Sequence, residues 1–188
     1  TDNAGPTVVN VSLPNGDKVQ EGEMVTSALR DVVVSFSEEM LTMGDGTNYY
    51  NRLHAVDNVA NWTLLRDGVE VTGAIESVTF GMNASQTLAQ NTVDENGNPV
   101  EEINDGVLAN GTNRWEAVVT FAEGYELNDG NYSLVCSAMV QDIARNAIYS
   151  QGYAVDGSGA GFDGRDWSLD FSVVRLNQAL GFEYGDAF

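Results

Sequence analysis

Along most of this chain apolar residues recur at every second position, and that period of two constrains the fold more than any other feature. Val9, Val11 and Leu13 alternate before the turn Pro14-Asn15-Gly16-Asp17. Val32, Val34 and Phe36 alternate in the next segment, and Trp62 and Leu64 open another that turns at Asp67-Gly68, a two-residue hairpin signal. Ile75, Ser77 and Thr79 are expected to face away from Val78 and Phe80. Trp115, Ala117, Val119 and Phe121 alternate, and Tyr132, Leu134, Cys136, Ala138 and Val140 make one long face. Trp167, Leu169, Phe171 and Val173 close the series, with Ser168, Asp170 and Ser172 facing the other way. Successive strand residues point to opposite faces, so a strand with one apolar face lies on a core and keeps its other side in water. About seven to nine such strands, separated by Gly, Asn and Asp turns, predict an all-β antiparallel sandwich. Helical patterns are confined to Ser37-Glu38-Glu39-Met40 and to residues 54–61, each a turn or two.

The chain has 188 residues, enough to bury a core without staples. The strands organise residues 1–175 into one domain. Three polar stretches, about 41–58, 82–112 and 149–165, are too long for tight connections and read as insertions, where function usually lives. Residues 176–188 break the pattern and read as a linker or the start of a neighbouring module, and Thr1-Asp2-Asn3-Ala4-Gly5-Pro6 reads as a linker cut from something longer. No apolar run approaches the roughly 20 residues that span a bilayer, so this segment is not expected to insert in a membrane.

Charge narrows the partners. Twenty-eight Asp and Glu against eight Lys and Arg give a formal net charge of -20. Such a surface repels nucleic acid and anionic lipid, and attracts cations and basic partners. A solvated acidic skin on a secreted protein is the simpler account of it. The single Cys excludes an internal disulfide, and its place on an apolar strand face makes Cys136 a small buried hydrophobe. The single His, His54, lies in a loop-like stretch and makes neither a Cys–His nucleophile pair nor a usual zinc site.

Specific segments then carry a resemblance. "GPTVVNVSLPNGDKV", "VVVSFSEEM", "NWTLLRDGVEVTGAI", "YELNDGNYSLVCSAMVQDIARNAI" and "WSLDFSV" resemble the successive strands of the bacterial Ig-like domain of S-layer and other large surface proteins. The likeness runs from about residue 5 to 174, leaving out the insertions. It implies an Ig-like sandwich, an extracellular or cell-surface location, and a non-catalytic role as spacer, assembly or adhesion domain. Its partners would be neighbouring modules of the same long chain or other surface proteins. Arg145 departs from the family's Asp-x-Ala-Gly-Asn-x-Leu turn, which has Gly there. Tyr132 resembles the tyrosine corner of Ig sandwiches. Asp142 and Asn146 are read as Asx-type turn formers that bond local backbone and carry no chemistry.

Sites of chemistry are few. The Gly-rich loop "DGSGAGFDGRD" offers Asp156, Asp163 and Asp166 as oxygen ligands for Ca²⁺, and is as readily a plain acidic loop. Asp94, Asn96, Asn98, Glu102 and Asp105 fall at EF-hand offsets, but Pro99 stands where that loop needs Gly. Glu38-Glu39 and Glu101-Glu102 are sequence neighbours that point to opposite faces of a strand, and no nucleophile elbow, P-loop or dinucleotide fingerprint occurs. An enzyme is therefore not expected. The rival reading is a carbohydrate-binding module that uses the loop tyrosines Tyr49, Tyr50, Tyr149 and Tyr153, which can equally lie down on the sandwich. Trp62, Trp115 and Trp167 are assigned to the core. The five Asn-x-Ser/Thr sequons, at Asn10, Asn61, Asn83, Asn110 and Asn131, fit chance in so Asn-rich a chain.

Overall fold

The computed structural model describes residues 4–26, 29–86, 113–123, 127–149 and 164–174. Among the described residues nine strands form two sheets: β1 (Val8–Ser12), β2 (Glu23–Val25), β3 (Asp31–Phe36), β4 (Trp62–Arg66), β5 (Val69–Glu70), β6 (Ile75–Met82), β7 (Trp115–Phe121), β8 (Gly130–Cys136) and β9 (Trp167–Val173). The order is β1-β3-β7-β6 in one sheet and β2-β9-β8-β4-β5 in the other. All pairs are antiparallel except β2 with β9, which is parallel. In immunoglobulin lettering these are sheets ABED and GFCC′, with β2 added beside G. The all-β sandwich expected from periodicity is the fold observed, and its strand order is the Ig-like one that the resemblance implies.

Between the sheets lies one core that includes Val34, Phe36, Trp62, Leu64, Val119, Phe121, Leu134, Cys136, Leu169 and Phe171. The tyrosine corner is present, because the buried Tyr132 donates its hydroxyl proton to the Asn128 carbonyl at 2.9 Å. Asp67 and Gly68 both have positive φ, 49° and 80°, as a two-residue hairpin turn with the strands' own twist requires. Cys136 is buried, and burial, then the charge of Asp166, pushes its thiol pKa up, which leaves it inert.

Four details differ from the alternation, each for a local reason. The register of β1 shifts between Val8 and Asn10, so Val8 faces the core beside Phe36 and Val9 is exposed. A second shift, between Ile75 and Ser77, puts Ile75 on the same face as Val78 and Phe80. The strand containing Cys136 ends there, not at Val140, because Ser137 N–H turns to the Asn61 carbonyl and Val140 N–H to the Ser137 carbonyl. β3 is buried on both faces, since Ala84 lies with Val33 and Val118 in a second small cluster. There the buried Glu116 carboxylate accepts from the N–H and hydroxyl of Ser85. Trp62 and Trp167 are core residues, whereas Trp115 is half-buried and stacked on Phe80.

The registers define two poles. Val8, Phe36, Trp115 and Met82 lie together at one end of the first sheet, and Trp62, Cys136 and Trp167 at the same end of the second. Leu41 N–H donates to the Gln141 carbonyl across that end and joins the two sheets. At the opposite end lie Asp31, Phe121, Ile75, the β4–β5 turn, Gly130 and Val173. The first strand thus begins at one pole and the last ends at the other.

Candidate functional site

The pole where β8 ends holds the polar knot around Asp142. Asp142 is fully buried, and its carboxylate accepts from the Asn146 main-chain N–H at 2.8 Å and from the Asn146 side-chain amide at 2.9 Å. Its own N–H donates to the Asn146 carbonyl, and Arg145 N–H donates to the Asp142 carbonyl. The turn is thereby closed by its own groups, the Asx-type structure anticipated. It also ties distant segments together. Met40 bridges to Asp142, Ile143 N–H reaches the Glu39 carbonyl, Gln141 N–H the His54 carbonyl, and Tyr149 N–H the Pro6 carbonyl. Gly5 makes the last contact feasible, because a Cβ there would sit 2.2 Å from the Ala147 carbonyl oxygen.

Arg145 occupies the glycine position of the resembling turn with φ 71°, in the left-handed region. A side chain there costs about 1–2 kcal/mol. Its guanidinium lies 4.7 Å from the Tyr50 ring centroid, a cation–π contact that offsets about 0.5–1 kcal/mol of that strain.

Against the knot packs α1 (Tyr49–His54), a helix inside the stretch expected to be a loop. Asn48 caps it by accepting from Asn51 N–H, the local signal for a helix start that alternation alone does not show. The helical pattern at 54–61 yields only a 3₁₀ turn over Val59–Asn61. His54 is buried at the end of α1, with Nδ1 2.6 Å from the Met139 carbonyl and its ring 4.4 Å from that of Tyr50. Tyr50 donates its hydroxyl proton to Gln141 Oε1 at 2.6 Å. Both groups capable of proton transfer are thus engaged in docking α1 onto the 137–141 turn.

Tyr49 is 71 % exposed, with the Arg52 guanidinium 5.8 Å from its ring centroid, whereas Tyr50 is half-buried beneath Arg145. Tyr149 is half-buried too and packs against Gly5, so of these three rings Tyr49 is the most exposed. Asp166 accepts from Ala138 N–H at 2.8 Å and so fastens the start of β9 to the turn after β8. Asp94, Asn96, Asn98, Glu101, Glu102, Asp105, Tyr153, Asp156 and Asp163 lie outside the described residues, as does the 176–188 tail. Among the described residues no group of three or more His, Cys, Asp or Glu is placed to hold a metal, and no helix is long and apolar enough to cross a membrane.

One feature of this pole escaped sequence reasoning. Leu53, Met139 and Ile143 are exposed beside Tyr49, at 39, 42 and 61 %. Arg52 and Arg145 are exposed among them and form no ion pair, the salt bridges among the described residues being those of Arg30 with Glu76 and Glu123. Isolated apolar residues in polar turns were the available signal, but no periodicity connects them.

No family model and no curated protein matches the chain. Among solved structures it is similar to the N-terminal part of the bacterial S-layer protein SbsC, with a TM-score of 0.37 and 13% identity. The match covers 89% of this chain and 23% of that one, and at this distance it carries no argument.

Proposed function

We propose that this chain is a non-catalytic Ig-like module of a large secreted or cell-surface bacterial protein, and that it serves as a spacer and assembly or adhesion domain. The observation that carries the reading is the placement of the first and last strands. β1 begins beside the knot, tied there through Pro6 and Tyr149, and β9 ends at the opposite pole, where Val174 N–H donates to the Val25 carbonyl. A chain that passes through a rigid sandwich from pole to pole separates whatever flanks it. The motif resemblance to surface-protein Ig-like domains supports the cellular setting. The carbohydrate-binding reading has weaker support, since Tyr50 is covered by Arg145 and His54.

Spin labels on Ala4→Cys and Val174→Cys test the reading, with the buried Cys136 left unlabelled. A separation far longer than that between labels at 4 and 143 is expected. Comparable separations would place both ends at one pole and remove the basis for a spacer. Ca²⁺ held by Asp156, Asp163 and Asp166 belongs to the same proposal. Its measure is a rise in melting temperature with Ca²⁺ that Mg²⁺ does not reproduce.

A further inference from the structure

We infer that the knot pole is a docking surface for a second copy of this sandwich, which it receives head-to-tail on the tip of the β4–β5 hairpin. Two observations meet here. At the knot pole Tyr49, Leu53, Met139 and Ile143 are exposed around Arg52 and Arg145. The four apolar residues lie on α1 and the 139–143 turn, which are joined by the His54–Met139, Gln141–His54 and Tyr50–Gln141 hydrogen bonds, so they form one surface. An exposed apolar patch with Arg and Tyr has the composition of an interface centre.

The charge selects the occupant. Arg52 and Arg145 form no ion pair among the described residues, so each guanidinium can take an anionic partner. The rings that would stack a sugar are engaged, as Tyr50 carries Arg145 and Tyr49 carries Arg52. The remaining demand is for carboxylates beside an apolar knob. The opposite pole of this same molecule presents that combination. Val69 stands 70 % exposed at the hairpin tip, next to Glu70, which is exposed and forms no ion pair among the described residues. Asp67 lies in the same turn. Val69 meets the apolar patch while Glu70 and Asp67 reach Arg145 and Arg52. Because the two surfaces are different, the contact is heterologous and propagates into linear chains and not closed dimers. Overall repulsion between acidic copies is screened beyond about 8 Å at physiological ionic strength, whereas pairs in contact persist.

This inference deepens the spacer reading by naming the partner, and rests on it for the polarity of the chain. Cysteine trapping tests it separately. Ile143→Cys and Val69→Cys both replace exposed residues, and the inert Cys136 does not compete. On mixing the two single variants under oxidised glutathione at 0.15 M salt, the 143–69 heterodimer is expected to outrun both homodimers. The double variant is expected to give a ladder of linear oligomers. Adding Arg145→Glu to the Ile143→Cys variant should slow heterodimer formation about tenfold, and Glu70→Arg on the Val69→Cys partner should restore it. Homodimers as fast as the heterodimer, or charge reversal without rescue, would overturn the contact. Sedimentation of the unmodified chain with rising concentration should show elongated oligomers, and a strict monomer in a preparation that also fails to trap would overturn it too. With labels at 4 and 174 far apart, such a failure removes the docking and leaves the spacer; labels close together remove both.

Discussion

Replacing Asp142 by Ala is expected to lower stability by about 2–4 kcal/mol. The carboxylate is fully buried and satisfies both the main-chain N–H and the side-chain amide of Asn146. Its removal deletes two hydrogen bonds accepted at a fully buried position, and a lost buried partner costs more than a typical hydrogen bond contributes. The loss spreads, because Met40, Glu39, His54 and the first strand are all fastened through this turn or its neighbours. Asp142→Asn should cost less, since one oxygen still accepts, but its amide then opposes the amide of Asn146. The exchange Asp142→Asn with Asn146→Asp restores a donor facing an acceptor, so a double-mutant cycle should show a favourable coupling between the two sites. Urea unfolding measures all four proteins. A loss below about 1 kcal/mol for Asp142→Ala would mean that the knot is not what closes this pole.

Trp62→Ala carries the other large effect, about 3–5 kcal/mol. Trp62 is 4 % exposed and starts β4 opposite Cys136, in the position of the buried Trp on strand C of Ig sandwiches. No disulfide lies beneath it, so its ring fills that volume without the covalent bridge antibody domains have. Its Nε1–H donates to the Val56 carbonyl at 2.7 Å, which ties the segment after α1 to the sandwich. Truncation therefore opens a cavity and also leaves a buried carbonyl without its donor. Trp62→Phe separates the two contributions, as it keeps most of the volume and loses the bond. A domain of this kind is stable by roughly 5–15 kcal/mol, so Trp62→Ala is expected to remove a large part of the transition, read as a fall in urea midpoint. An unchanged midpoint would show that Trp62 is not a core residue.

The strands were legible because alternation reports burial directly. The strands that bury one face, β4, β8 and β9, carried their pattern in the open, as with Trp167, Leu169, Phe171 and Val173 of β9. What escaped was set by contacts distant in sequence. β2 has three residues, Glu23-Met24-Val25, and pairs only because β9 offers its edge. The register shifts in β1 and β6 invert the faces of Val9 and Ile75, and no residue type at those places announces a bulge. The run Val32-Val33-Val34 does show double-sided burial in hindsight, but the cover over Val33 comes from Ala84, far along the chain. At the candidate site, the Asp142–Asn146 turn was readable from two residues four apart. The side chain tolerated at Arg145 was not, since it depends on the Tyr50 ring of a helix capped by Asn48.

The proposed spacer role requires a sandwich that holds its two poles apart, and single-molecule pulling tests it most directly. Traction from residue 4 and residue 174 runs along the strands. It strains the seven register pairs of β9 with β8 and the three with β2 together. Traction from residues 68 and 174, both at the hairpin pole, runs across the second sheet and opens its pairs one after another. Forced unfolding follows the unfolding rate, so the two axes sample different barriers of the same fold. The account predicts one cooperative event at distinctly higher force along the 4–174 axis. Equal forces on both axes, or unravelling of β1 or β9 at low force before the rest, would contradict it.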